Sequence, residues 1–168
     1  MINASLYGVM REALKHPELS HIYGARNGTG GLLKEDFIEL KDVPEEKLEL
    51  LLQTPGSAIG TSRDALEQEE YDRMTEILEK HQIRYVLLNG GNGTMDTCGK
   101  LSKACQAKGL DVCVMGIPKT MDNDLAITDH SPGFGSAARF IAQSVKEVCV
   151  DVKGLPIHVV VVEASGRN

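Results

Sequence analysis

Apolar residues fall along this chain in two alternating periods. Continuous runs at residues 84–89, 112–117 and 157–163 are short and rich in β-branched side chains. Unbroken runs of that kind predict strands covered on both faces, as parallel strands under helices are. Shorter candidates lie at 21–24 and 58–60, and residues 37–40 read as a small hairpin strand after the glycine-rich turn 28–31. Helical spacing fills the intervals. Leu6, Val9, Met10, Ala13 and Leu14 form one stripe, ended near Pro17. Asp42 and Glu45 have capping-box spacing ahead of Leu48, Leu51 and Leu52. Tyr71, Met74, Ile77, Leu78 and His81 mark another helix, and Met95, Cys98, Leu101 and Cys105 the next, closed by Gly109. The longest stripe is Ala137, Ile141, Val145, Val148 and Val152, with Ser131 and Pro132 near its start.

Strands alternating with helices predict βαβ units: an α/β, three-layer, doubly wound and mainly parallel sheet of Rossmann-like type. In such sheets ligands collect at the carboxyl ends of the strands. Residues 89–94, 118–124 and 163–167 all follow a predicted strand, so one shared crevice is expected for them. Met1 leads almost directly into a helix, and the chain stops just past a strand, so the pattern reads as a piece of a larger fold.

Composition narrows the function classes. The 168 residues are 42% hydrophobic and 25% charged, which is ordinary for a soluble domain with a sizeable core. No apolar run approaches the ~20 residues of a membrane span, and no signal-peptide layout opens the chain. A formal charge of −6 argues against broad nucleic-acid or anionic-membrane binding, yet leaves room for a phosphate held by backbone N–H groups. Cys98, Cys105, Cys113 and Cys149 lack Cys-x-x-Cys spacing, as expected of a reduced, cytoplasmic protein. His81, His16 and His21 have no partner at metal-ligand spacing, so zinc is not expected.

Chemistry concentrates after two of the strands. Gly90-Gly91-Asn92-Gly93-Thr94 lets the backbone approach a ligand closely and opens a helix whose first N–H groups favour an anion. The plain alternative is a glycine-rich strand-to-helix turn without a ligand. Pro118-Lys119-Thr120-Met121-Asp122-Asn123-Asp124 brings a cation, a hydroxyl and two carboxylates onto one loop. One carboxylate suits a general base towards an alcohol, and the other could orient it or hold Mg²⁺ through water. An Asx-rich turn is the alternative there. The segment 131–139 is a glycine-rich start to a helix and a second candidate anion site. Arg63, after Gly60-Thr61-Ser62, and Arg167, after Gly166, read either as phosphate clamps or as solvated side chains.

Taken together these residues resemble the amino-terminal lobe of the 6-phosphofructokinase family, which contains ATP-dependent and pyrophosphate-dependent members. The resemblance runs through Asn3-Ala4-Ser5, Ile22-Tyr23-Gly24, Gly90 to Thr94, Pro118 to Asp124, Pro132 to Arg139 and Glu163 to Arg167. It implies a partial phosphofructokinase fold: residues 1–168 as an incomplete phosphoryl-donor-binding lobe, with the sugar-binding lobe absent. It further implies a glycolytic transfer from pyrophosphate or ATP, with Mg²⁺, to the 1-hydroxyl of fructose 6-phosphate, by a protein that is a homo-oligomer at full length. By resemblance Asp122 is the base, with Lys119, Thr120 and Asp124 beside it. Arg63, Gly91, Asn92, Gly93 and Thr94 line the donor site, and Ser165, Gly166 and Arg167 hold the sugar together with Thr120 and Asp122.

The chain departs from the family pattern at several of these positions. Asn92 replaces a metal-holding aspartate, which weakens that position for a hard cation and leaves Asp124, through water, as a metal contact. His158 stands where ATP enzymes place an arginine, and Ser165 replaces a methionine. Gly93 leaves room for a nucleotide while Lys119 adds a charge suited to pyrophosphate, so the donor signature is mixed and leans to pyrophosphate. Two other readings stay open: a non-catalytic phosphate-binding fragment of such an enzyme, and a kinase of another Gly-Gly-Asp-Gly-Thr family acting on NAD or a diacylglycerol-type lipid.

Overall fold

A computed structural model describes residues 1–164. The chain divides after Ile117 into two compact units, residues 1–117 and 118 onward. The fold is α/β, a partial Rossmann-like arrangement.

In the first unit, helix α1 (Ile2–Ala13) precedes an antiparallel hairpin of β1 (Tyr23–Ala25) and β2 (Phe37–Glu39), in register Tyr23↔Glu39, Gly24↔Ile38 and Ala25↔Phe37. The connection between those strands is not the predicted glycine turn but a short helix, α2 (Gly28–Leu33). Glycine serves close approach there: a Cβ on Gly31 would overlap the backbone of Arg26. Helix α3 (Glu45–Glu49) runs into a 3₁₀ turn at Leu50–Leu52. Pro44, not Asp42, is its N-cap, so the predicted capping box is not formed. A capping box forms instead at Glu67 and Glu70, ahead of α4 (Gln68–Lys80). Residues 58–60 form no strand, although the Ile59 carbonyl accepts the Asn27 N–H at 2.7 Å.

Next come β3 (Tyr85–Gly90), α5 (Asn92–Ala107) and β4 (Cys113–Pro118). The two strands are parallel hydrogen-bonded neighbours and α5 is their crossover, as the alternating pattern predicts. Gly109, at φ +69°, turns the chain out of α5 in the left-handed region. The main core lies here: Leu32, Tyr71, Met74, Ile77, Leu78, Leu101 and Cys105 pack from α2, α4 and α5, with Val86, Leu88 and Val114 of the strands against them. A second cluster joins Met10, Leu40 and Leu48. Asn3, buried in α1, donates to the Thr54 carbonyl at 2.8 Å and accepts the Ala58 N–H at 2.7 Å, tying the loop before Arg63 to the first helix.

In the second unit a loop from residue 119 to Gly133 leads into α6 (Phe134–Gly154), the longest helix. Its half-buried positions include Ala137, Ile141, Val145, Val148 and Val152, the predicted stripe, although none is fully buried. The predicted strand at 157–163 is not formed. A strand requires a hydrogen-bonded neighbour, and Val159 to Val162 find no ladder partner among the described residues.

Candidate active site

Strand β3 ends on Gly90, which is buried, and Gly91 caps α5 in an extended conformation without a side-chain hydrogen bond. The first turn of the helix carries no acidic residue. The first N–H groups of a helix have no partner within the helix and sit at the positive end of its dipole, an arrangement that favours phosphate. Thr94 folds back over Gly90: an added Cβ there would come within 2.6 Å of the Thr94 Cβ. Gly93 is exposed with open space where a side chain would project. Asn89 steadies the end of the strand by donating to the Ile2 carbonyl at 3.2 Å. Asn92 is exposed on the first turn.

Arg63 lies on the loop that leads to α4, in the same unit. It is exposed and makes no hydrogen bond or ion pair among the described residues. The residues on either side of it are fixed. Ser62 donates its hydroxyl to Asp64 at 2.5 Å, and Thr29 of α2 donates to the same carboxylate oxygen at 2.7 Å. The Gly30 N–H reaches the Ser62 hydroxyl at 3.4 Å. These donors, Ser62 first and then Thr29, hold the Asp64 carboxyl below the ordinary carboxylate range. Nothing in the linear pattern marks Thr29, Ser62 and Asp64 as a group, because 33 positions separate Thr29 from Ser62.

The predicted catalytic loop is braced by its own side chains. The Thr120 hydroxyl accepts the Asp122 N–H at 3.0 Å, and the Thr120 N–H donates to the Pro132 carbonyl at 2.9 Å. Asn123, in the left-handed region at φ 54°, accepts the Ser131 N–H at 2.8 Å. Ser131 is buried, and its hydroxyl accepts the Leu125 N–H at 3.4 Å. Lys119, Asp122 and Asp124 are half-buried on this loop. Asn123 and Ser131 are the residues the sequence reading missed as loop braces; an Asn inside an Asp-Asn-Asp run is the available signal. Gly133 caps α6 without a side-chain bond, as a glycine-rich helix start predicts. Ser165, Gly166 and Arg167 lie outside the described residues, and His158 sits in irregular, exposed chain.

Among the described residues no cluster of three or more His, Cys, Asp or Glu side chains forms a metal cage. A concavity of about 450 Å³ is lined by Leu78, Arg84, Leu110 and Asp111 at the amino ends of β3 and β4. It lies at the opposite end of β3 from Gly90, away from the candidate site. No helix among the described residues is long and apolar enough to cross a membrane.

A sequence model described as Phosphofructokinase matches residues 1–168, the whole chain. The chain belongs to the phosphofructokinase family. It is 41% identical over 176 residues to the pyrophosphate–fructose 6-phosphate 1-phosphotransferase of Xanthomonas campestris, covering 100% of this chain and 42% of that protein. It is 34% identical over 169 residues to an ATP-dependent 6-phosphofructokinase of Amycolatopsis methanolica, covering 99% of this chain and 36% of the relative. The crystal structure of a pyrophosphate-dependent phosphofructokinase from Marinobacter aquaeolei superposes with a TM-score of 0.83 at 41% identity, over 91% of this chain and 38% of that one. The chain thus spans about two-fifths of the length of the relatives it matches.

Proposed function

We propose that residues 1–168 are the donor-binding part of a 6-phosphofructokinase-type phosphotransferase. In this reading the protein moves the terminal phosphoryl group of pyrophosphate to the 1-hydroxyl of fructose 6-phosphate. The observation that carries it is the glycine-capped start of α5 behind Gly90, in a chain that resembles pyrophosphate phosphotransferases along its full length. Phosphoryl transfer leaves a protein little covalent work; positioning and charge neutralisation do most of it.

The roles follow from residue chemistry. Gly91, Asn92, Gly93 and Thr94 offer N–H groups and a hydroxyl to the donor phosphates, and Arg63 and Lys119 supply positive charge. Asp122 takes the proton from the sugar hydroxyl as that oxygen bonds to the phosphorus and orthophosphate departs. Thr120 keeps Asp122 in place through the bond to its N–H. Ser165, Gly166 and Arg167 bind the sugar phosphate. Mg²⁺ commonly relies on one or two carboxylates plus substrate phosphates. Asp124 would hold it through water, with Asn92 contributing at most a neutral amide, and the ion would supply charge neutralisation on the donor. Joined to a sugar-binding second lobe, the protein would act in the cytoplasm as a homo-oligomer.

ATP is the second reading of the donor, favoured by the open space at Gly93. A coupled assay on the chain, alone and co-produced with a polypeptide completing the relatives' length, separates these readings. Turnover of fructose 6-phosphate with pyrophosphate exceeding that with ATP is the expected result for the completed protein. Asp122→Asn should lower it by about 10²–10⁴. Equal turnover in that variant would remove Asp122 from the mechanism, and ATP preference would reverse the donor assignment.

A further inference from the structure

The glycine-rich stretch Gly28-Thr29-Gly30 has no part in the chemistry above, yet its geometry is specific. An added Cβ on Gly30 would sit 3.2 Å from both carboxylate oxygens of Asp64, and one on Gly28 would sit 3.3 Å from the Ser62 hydroxyl. These glycines thus let the segment on either side of Arg63 settle directly on the first turn of α2. The seat is closed by hydrogen bonds from Thr29 and Ser62 to one oxygen of Asp64. On the amino-terminal side, Ser57 donates its hydroxyl to the Gly60 carbonyl at 2.7 Å, and the Asn27 N–H reaches the Ile59 carbonyl at 2.7 Å. Arg63 is therefore a long, flexible cation on a backbone fixed from both directions.

Asp64 also stands next to Arg63 in sequence, where a carboxylate would ordinarily compete for the guanidinium. Two hydroxyls occupy it instead, and Arg63 makes no ion pair among the described residues. We propose that Thr29, Ser62 and Asp64 are positioning residues that fix the Arg63 backbone and leave its guanidinium available for the inorganic donor. The proposal rests on the reading of Arg63 as a donor ligand. It adds a reason why that ligand is ready before the donor arrives: little conformational freedom remains to be lost in the segment that carries it.

The test is calorimetric titration of the full chain with inorganic pyrophosphate, as a double-mutant cycle with Arg63→Ala. Thr29→Val removes the hydroxyl while keeping the shape, and Thr29→Ser keeps the hydroxyl. Thr29→Val and Asp64→Asn are each expected to weaken pyrophosphate binding by about fivefold when Arg63 is present. In the Arg63→Ala background they should cost nothing further, because the effect acts through that residue. Thr29→Ser should bind like the wild type. Equal losses in both backgrounds, or no loss from Thr29→Val, would overturn the positioning role while leaving the donor site intact. Unchanged binding in Arg63→Ala alone, or no binding by the wild type, would overturn the donor reading itself and the positioning role with it.

Discussion

Single residues decide how closely another group can approach the start of α5. Gly90 and Gly93 stand three apart around the same turn, yet their surroundings differ. A Cβ on Gly90 would collide with the Thr94 side chain, whereas one on Gly93 meets nothing within 4 Å. Gly90→Ala is therefore expected to displace Thr94 and destabilise the chain by about 1–3 kcal/mol, as overpacking does. Gly93→Ala, inside a helix, should leave stability unchanged or slightly raised. Urea unfolding of the two variants checks this, and equal losses would mean that the turn has no tight side. Asp64 makes a second residue-level prediction. Its carboxyl is held below its unfolded value of about 3.9. The stabilisation is thus complete above that value and is lost as pH falls through the lower, folded pKa. The stability difference between wild type and Asp64→Asn should stay constant from about pH 5 to pH 8 and shrink below about pH 4. A difference that widens on acidification would contradict the hydrogen-bonded carboxylate.

At the scale of elements, the unit β3–α5–β4 was legible in the sequence because its strands are unbroken apolar runs and its helix has clean periodicity. Cys98 and Cys105 fall on that helical stripe, and both are buried, with burial pushing their thiols up. Cys113 and Cys149 are exposed. Mass spectrometry after thiol alkylation should find these latter two modified in the native chain and the buried pair only after denaturation. Labelling of Cys105 under native conditions would place the core elsewhere. Other elements were hidden for identifiable reasons. Gly28-Thr29-Gly30-Gly31 has the composition of a turn, yet it forms a helix whose glycines lie close against Ser62, Asp64 and Arg26. The cap of α4 uses glutamate at both ends of the box, in place of the usual Ser or Thr at the N-cap. The valines near residue 160 have strand composition but no ladder partner among the described residues, and composition alone forms no hydrogen bonds. The site divides the same way. Local motifs mark Gly90–Thr94 and Pro118–Asp124, and the second braces itself within its own loop, but the chain around Arg63 is held from afar: Asn3 holds the loop at 54–58 and Thr29 the Asp64 carboxylate. No spacing rule joins positions so far apart.

Across the whole molecule, burial is distributed unevenly between the two units. Every fully buried apolar side chain among the described residues, from Met10 to Cys105, belongs to residues 1–117. In the second unit Ser131 is buried, while α6 has no fully buried residue and leaves Phe140 and Val150 largely exposed, at 74% and 65%. Stability follows burial, so opening free energies should differ sharply between the two parts. Native-state hydrogen exchange is expected to show the slowest amides in α4, α5 and β3, where Met74, Leu78 and Leu101 pack. The backbone of α6 should exchange at least tenfold faster despite its greater length, because helix propensity alone holds a helix only marginally. The loop that carries Asp122 should fall between them, since side-chain hydrogen bonds from Asn123 and Ser131 brace it without an apolar core beneath. Protection of α6 equal to that of α5 would show that the second unit shares the cooperative unfolding of the first. In that case the loop that carries Asp122 would not owe its rigidity to its own braces, and Asn123→Ala would leave its exchange unchanged.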